Sequence, residues 1–424
     1  MSWGRFFIYL IKKGDIKMGI QNWKNQILLL FGIGVSNLGD WIYLISLNLI
    51  VLEMTKSPLA VSALYILKPL ATLCTNAWAG SVIDRLNKRN LMITLDLMRA
   101  TLIVILPFFS SIWSLYLVVF WINMASSMFR PTSMSYMTKL TPPEQRKRFN
   151  SLRSLIESGG FLIGPAVAGL LFLIGTPIFA IYMNALALFL SGIITFLLPN
   201  LDPSTASKQK YISFELLKND WKIVKKFSFR HSYIMIIYFL FSCMMVMATA
   251  VDSLEAAFAK NVLSLSDSEY SILVSIAGAG VVIGAIVNTI FSHKLSTLLL
   301  IGAGAFNVSV GYVIYAFSNS FLVAALGFFI LSFSLSFANT GFHTFYQNNI
   351  PVEIMGRVGS IFGFIEAVLI ILTTIIFGIT AQLISIKATV IAGTFIMLLV
   401  TIVLCILSIK PSNRKYYSAE IDIF

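Results

Sequence analysis

Apolar stretches of about twenty residues recur along almost the whole chain, and no other feature constrains its fold as strongly. A hydrocarbon core ~30 Å thick demands runs of this length from a spanning helix. The runs are continuous rather than alternating, so helices are expected, with every backbone group bonded inside its own segment. Composition agrees: 58% of the 424 residues are hydrophobic, 12% are charged and the mean hydropathy is +0.86. A soluble chain carries about 25% charge.

Twelve spans can be marked. The first six are Gln26–Val51, Pro58–Ile83, Leu91–Phe109, Ser114–Met137, Phe149–Ile174 and Pro177–Leu198. The second six are Tyr233–Ala257, Tyr270–Phe291, Leu295–Phe317, Phe321–Tyr346, Val358–Leu383 and Ala388–Ile409. The expected fold is all-α, with twelve transmembrane helices in two six-helix bundles, 26–198 and 233–409. Residues 1–25 read as a basic interfacial segment, and 410–424 as a tail. Phe6–Ile11 is too short for a cleaved signal and no small-residue cleavage site follows it, while Met18 is an alternative start.

The connection 199–232 is the long polar one. Phe214, Leu217, Trp221 and Val224 form an apolar stripe at helical spacing among lysines, the pattern of an amphipathic helix on a membrane surface. A net charge of +13 could suggest nucleic acid. The lysines and arginines, however, cluster between the apolar blocks, where they set topology. Lys56, Lys260 and Lys387 fall outside, Lys68, Arg99 and Arg130 within spans, and the rest on one side. Both termini are therefore expected in the cytoplasm.

The two halves carry a repeat. Pro142, Glu144, Arg148, Ser151, Glu157 and Gly169 recur 209 positions later as Pro351, Glu353, Arg357, Ser360, Glu366 and Gly378. Duplicated halves usually hold a substrate site between them.

Between spans two and three stand Gly80, Asp84, Arg85, Lys88 and Arg89. A glycine, an aspartate four residues on and a basic cluster resemble the signature loop of the major facilitator superfamily. The resemblance implies a glycine that permits close helix packing and an aspartate that latches the halves on the cytoplasmic side. The matching place in the second half, Gly284, Asn288, His293 and Lys294, lacks the acid. Span five carries Gly160, Gly164, Pro165 and Gly169, which resemble the antiporter motif of drug–proton exchangers, with Ser151 where an upstream glycine is expected. "NLGDWIYLISL", "LDLMRA" and "FRPTSMSYMTKLTPPE" are similar to the macrolide-efflux branch. The resemblance implies proton-driven export of small amphipathic molecules.

Ionisable groups inside a span are costly and usually face a cavity or a partner. Asp40 in span one and Lys68 in span two both fall near the midplane, and Pro69 frees a backbone carbonyl beside Lys68. They read as a structural ion pair or as the polar part of a substrate cavity. Glu157 and Glu366 hold matching places in spans five and eleven. Arg153 lies one turn before Glu157, whereas Phe362 takes that place before Glu366. A proton carrier must be neutral in one state and charged in another, so Glu366 is the stronger proton-coupling candidate, followed by Asp40 and Glu157. Asp252 and Glu255 read as rim charges. Asp96, Arg99 and Arg130 are expected to join Asp84 in a structural network near the inner face.

Enzyme chemistry finds no footing. Cys74, Cys243, Cys405, His231, His293 and His343 are scattered without metal-ligand spacing, and no catalytic grouping or GxxxxGK[ST] loop occurs. No cofactor, metal or nucleic acid is expected. The expected partners are a small-molecule substrate, protons and the lipid bilayer, with the chain acting as a monomer. Two alternatives stay open: a carrier for one metabolite such as a siderophore, peptide or lysolipid, and a membrane scaffold that transports nothing.

Overall fold

The computed structural model describes residues 23–55, 58–202, 214–265, 267–292, 294–409 and 416–417, helical with no strand among them. Most of the expected N-terminal segment, Lys56, residues 203–213, His293 and most of the tail lie outside the described residues. A first set of helices comprises α1 (Lys24–Thr55), α2 (Pro58–Arg85), α3 (Lys88–Ile105), α4 (Ile112–Leu140), α5 (Arg146–Ile174) and α6 (Pro177–Phe196). The amphipathic α7 (Phe214–Arg230) follows. A second set comprises α8 (Ser232–Asp252), the short α9 (Glu255–Asn261), α10 (Asp267–Phe291), α11 (Thr297–Ala316), α12 (Phe321–Asn349), α13 (Val352–Leu383) and α14 (Ile386–Ile409). Ten helices among the described residues are long and apolar enough to cross a membrane. The other two long ones, α2 and α5, have 28 and 29 residues.

Local chemistry sets the ends. The Asn87 side chain accepts from the Asn90 amide and starts α3, and Ser296 does the same for α11 through Leu299, each satisfying an otherwise orphaned donor. Several helix ends differ from the marked spans, and at two of them local chemistry gives the reason. In span three, which runs Lys88–Phe108, the α-helix stops at Ile105 and passes into a 3-10 turn, Leu106–Phe108, because Pro107 has no N–H to continue the ladder. Span seven does not run to Ala257: Ser253 donates to the Ala250 carbonyl at 2.6 Å, and a turn separates α8 from α9.

Within the first set α1 packs on α5 and α6, α2 on α4, and α3 on α4 and α6. Within the second, α11 packs on α12 and α14, α10 on α12, and α8 on α13 and α14. Two seams join the sets: α2 against α13, and α5 against α10 and α12. Small residues let the backbones close. A Cβ on Gly80 would stand 2.6 Å from the Arg357 Cα, and one on Gly356 would strike the Asp84 carboxylate. In α5, Gly160 and Gly164 leave room for Asn37 and Trp41 of α1. The surroundings of Pro165 and Gly169 lie outside the described residues. The outward surface is apolar, with Trp113, Leu322 and Leu383 each more than three-quarters exposed, as lipid contact requires.

Candidate functional site

Charged side chains meet in the interior, between the two sets. Counting about 1.5 Å per residue from the helix ends nearest α7, Asp40, Lys68 and Glu366 lie at similar depths of roughly 21–26 Å. Asp40 and Lys68 both keep exposed surface. They form no tight ion pair. The charges acting on Asp40 are those of Arg99, then Lys68, then Arg130.

Arg130 is the group that sequence reasoning misplaced. It does not join Asp84; its charge reaches Asp40 and Lys68 in the first set and Glu366 and His343 in the second. A bond of 2.9 Å between Thr72 and Ser127, each about one turn from Lys68 and Arg130, ties α2 to α4 between the two cations. Asp96 and Arg99 also stay clear of Asp84. They form a buried ion pair in which Asp96 accepts from the Ser191 hydroxyl at 2.9 Å, and Arg99 lies over the Phe129 ring at 4.7 Å.

The matched glutamates differ. Glu157 pairs with Arg153 at 2.8 Å. Glu366 accepts a 3.3 Å hydrogen bond from the Ser242 hydroxyl, with Phe362 one turn earlier packed on Tyr238. The wall beside it is aromatic, and Phe241 stacks on Phe342 at 4.1 Å. At the far end from α7, Tyr312 donates to Asp252 at 2.7 Å and Tyr270 to Glu255 at 3.1 Å. Burial and the Asp252 charge push Glu255 up to about 7.

At the α7 end the α2–α13 seam is locked by charge. Asp84 accepts from the backbone N–H groups of Gly356 and Arg357 at 2.8 and 3.1 Å and from Arg357 Nε at 2.7 Å. Gly356 and Arg357 lie in the second turn of α13, so the bonds themselves and the Arg357 guanidinium, rather than the helix terminus, neutralise this acid. Asp220 of α7 completes the lock. It receives Arg85 through two bonds of 2.7 and 2.8 Å, and Arg357 Nη1 at 3.1 Å. Burial alone would raise the Asp220 carboxyl, but its hydrogen bonds with Arg85 and Ser81 and the two guanidinium charges hold it below the usual range. Lys88 and Arg89 do not reach the Asp84 carboxylate; Lys88 donates to the Asp84 carbonyl at 3.0 Å. Lys88 meets Asp202, which also takes Lys139 at 2.6 Å, and Arg89 donates to the Leu198 carbonyl at 2.9 Å.

The α5 seam closes at the same end without an ion pair among the described residues, through amide, hydroxyl and cationic donors on neutral acceptors. Asn150 donates to Gln347 at 2.8 Å and Thr344 at 3.1 Å, Arg146 to the Gln347 carbonyl at 2.7 Å, and Thr289 to the Ser151 carbonyl at 3.2 Å. Sequence reasoning missed Asp220, although a lone acid in register with the apolar stripe of a lysine-rich helix was a usable signal.

Two packed helix sets around a charged interior, locked together at one end, define a polytopic membrane transporter. The profile of the Major Facilitator Superfamily matches residues 29–374, and the chain belongs to that superfamily. It is 25% identical over 357 residues to the uncharacterized MFS-type transporter YfiS of Bacillus subtilis (strain 168), covering 82% of this chain and 84% of that one. The human organic anion transporter MFSD10 superposes with a TM-score of 0.75 at 13% identity, over 91% of this chain and all of that one. A bacterial homologue of the iron transporter ferroportin in the outward-facing state gives 0.72 at 16%, over 92% of this chain and all of that one. The Escherichia coli fucose:proton symporter FucP gives 0.71 at 14%, over 91% and 99%. At these identities the superpositions speak for the fold alone.

Proposed function

We propose that this protein is a proton-driven exporter of small amphipathic molecules working by alternating access. In this reading twelve helices cross a bacterial plasma membrane as bundles 26–198 and 233–409, with both termini and α7 cytoplasmic. The observation that carries proton coupling is the contrast between the matched acids: Glu157 is neutralised by Arg153, whereas Glu366 meets the Ser242 hydroxyl and an aromatic wall. A carboxyl without a tight cation partner in a low-dielectric interior can exchange its proton as the cavity switches sides. Asp40, Lys68 and Arg130 supply the polar wall of the cavity, and the rings around Phe342 an apolar one. The lock at Asp84 holds the α7 end shut while the cavity serves the opposite side. The similarity of the loop and span-five motifs to drug–proton exchangers supports export.

Proteoliposomes loaded with a fluorescent amphipathic dye, under an imposed pH gradient, test this. Wild type should accumulate dye against its gradient. Glu366→Gln should lose accumulation by at least about 10-fold, the loss of one proton-transfer group, yet keep downhill exchange, and Asp40→Asn should impair both. Full driven transport by Glu366→Gln would remove it from the coupling role. Movement of one metabolite and no dye would point to a dedicated carrier.

A further inference from the structure

Helix α7 has two faces with different chemistry. Asp220, Val224 and Phe227, at spacings of four and seven residues, turn toward the bundle: Asp220 and Val224 are buried, and Asp220 sits in the lock. Lys222, Lys225, Lys226 and Phe229, at spacings of three, four and seven, fall on the opposite side and are all exposed. With Arg230 they line a shallow cleft of about 560 Å³. Phe229 is 75% exposed, with the Lys225 ammonium over its ring at 6.0 Å.

The position of α7 says what this face meets. Trp221 donates to the Ala77 carbonyl of α2 at 3.4 Å and packs edge-on against Phe364 of α13 at 6.3 Å. Ala77 lies about 12 Å, and Phe364 about 18 Å, inside the ends of their helices at 1.5 Å per residue. The helix therefore runs along the flank of the α2–α13 seam rather than beneath the bundle. A flank at that depth borders the headgroup layer, where exposed aromatics and cationic side chains settle together.

We propose that the Lys222–Lys225–Lys226–Arg230 face of α7 binds the headgroups of anionic phospholipids, and that this docking holds Asp220 in the lock and favours closure of the α7 end. A cleft with four cations and an exposed ring suits a phosphodiester with an acyl chain below it, and calls for negative charge from the leaflet. Lipid composition then sets the balance between the two faces of the transport cycle. The proposal rests on reading the α7 end as the gate, and its test separates the two.

The full chain, carrying a spin-label pair at Asn90→Cys and Glu353→Cys, is placed in nanodiscs of phosphatidylcholine alone or mixed with phosphatidylglycerol, at low salt. Phosphatidylglycerol should raise the closed-to-open ratio by about 5-fold or more, and high salt should erase the rise. The triple variant Lys222→Gln, Lys225→Gln, Lys226→Gln should keep the phosphatidylcholine ratio and lose the response, together with co-purified phosphatidylglycerol. An unresponsive wild type, a triple variant that responds fully, or inorganic phosphate reproducing the shift in phosphatidylcholine would each overturn the proposal. Asp84→Asn probes the gate reading alone. It should open the end in both lipids, and if it does not, that reading falls whatever the lipids do.

Discussion

The two seams that join the helix sets carry matching residues of the sequence repeat and differ in charge. On the α2–α13 seam Asp84 faces Arg357, and Asp220 adds a second acid from α7. On the α5–α10 seam the acid's place is taken by Asn288, which turns inward to the Ser336 carbonyl at 3.1 Å and Thr340 at 2.7 Å. The arginine matching Arg357 is Arg148, and with no acid to meet it lies over the Trp23 ring at 5.1 Å. One seam has kept a breakable lock whose strength depends on charge and on α7. The other is a packed contact with no acid facing its cations among the described residues: Arg146 and Lys147 donate to neutral acceptors, and the remaining neutral hydrogen bonds are each worth about 1 kcal/mol. A rocking transporter needs both kinds of contact: one that can be released and one that keeps the halves in register.

The comparison can be broken most severely at Arg357. Arg357→Ala leaves Asp84, 1% exposed, as a buried carboxylate without its cation, at a cost of roughly 3–5 kcal/mol to the closed form. Thiol labelling of cysteines placed beside the seam should show the α7 end open in most molecules. Asn288→Asp sharpens the contrast from the other side. The new carboxylate cannot donate to the Ser336 carbonyl, and Arg148 is engaged elsewhere, so it should destabilise the second helix set by about 3 kcal/mol instead of creating a second lock. A lowered unfolding temperature with unchanged gating would bear this out. The smallest effect belongs to Asn150→Ala, which removes two neutral bonds and should shift the closed population by about 1–2 kcal/mol, measured by the same labelling.

The helices were legible because lipid imposes one length and one backbone solution, and the apolar runs record both. Their ends were less so: α4 and α12 continue to Leu140 and Asn349, past the apolar windows, since a helix leaving lipid still bonds its own backbone. Asp84 was legible through its glycine and basic cluster. Arg130 was not, because a position near the end of an apolar run says nothing about which helices converge there. Only the packing of α4 against α2 and α13 brings it between Asp40 and Glu366. Arg153 beside Glu157 was readable from a four-residue spacing, whereas Ser242 beside Glu366 joins residues 124 positions apart.

The central claim is that charge at the α2–α13 seam, and not packing at the other seam, holds the α7 end closed. Distances between paired spin labels across both ends of the bundle, compared in wild type and Asp84→Asn, test it most directly. The account predicts that wild type is close at the α7 end and wide at the opposite end, and that Asp84→Asn reverses the two. A variant with wild-type distances at both ends would contradict it.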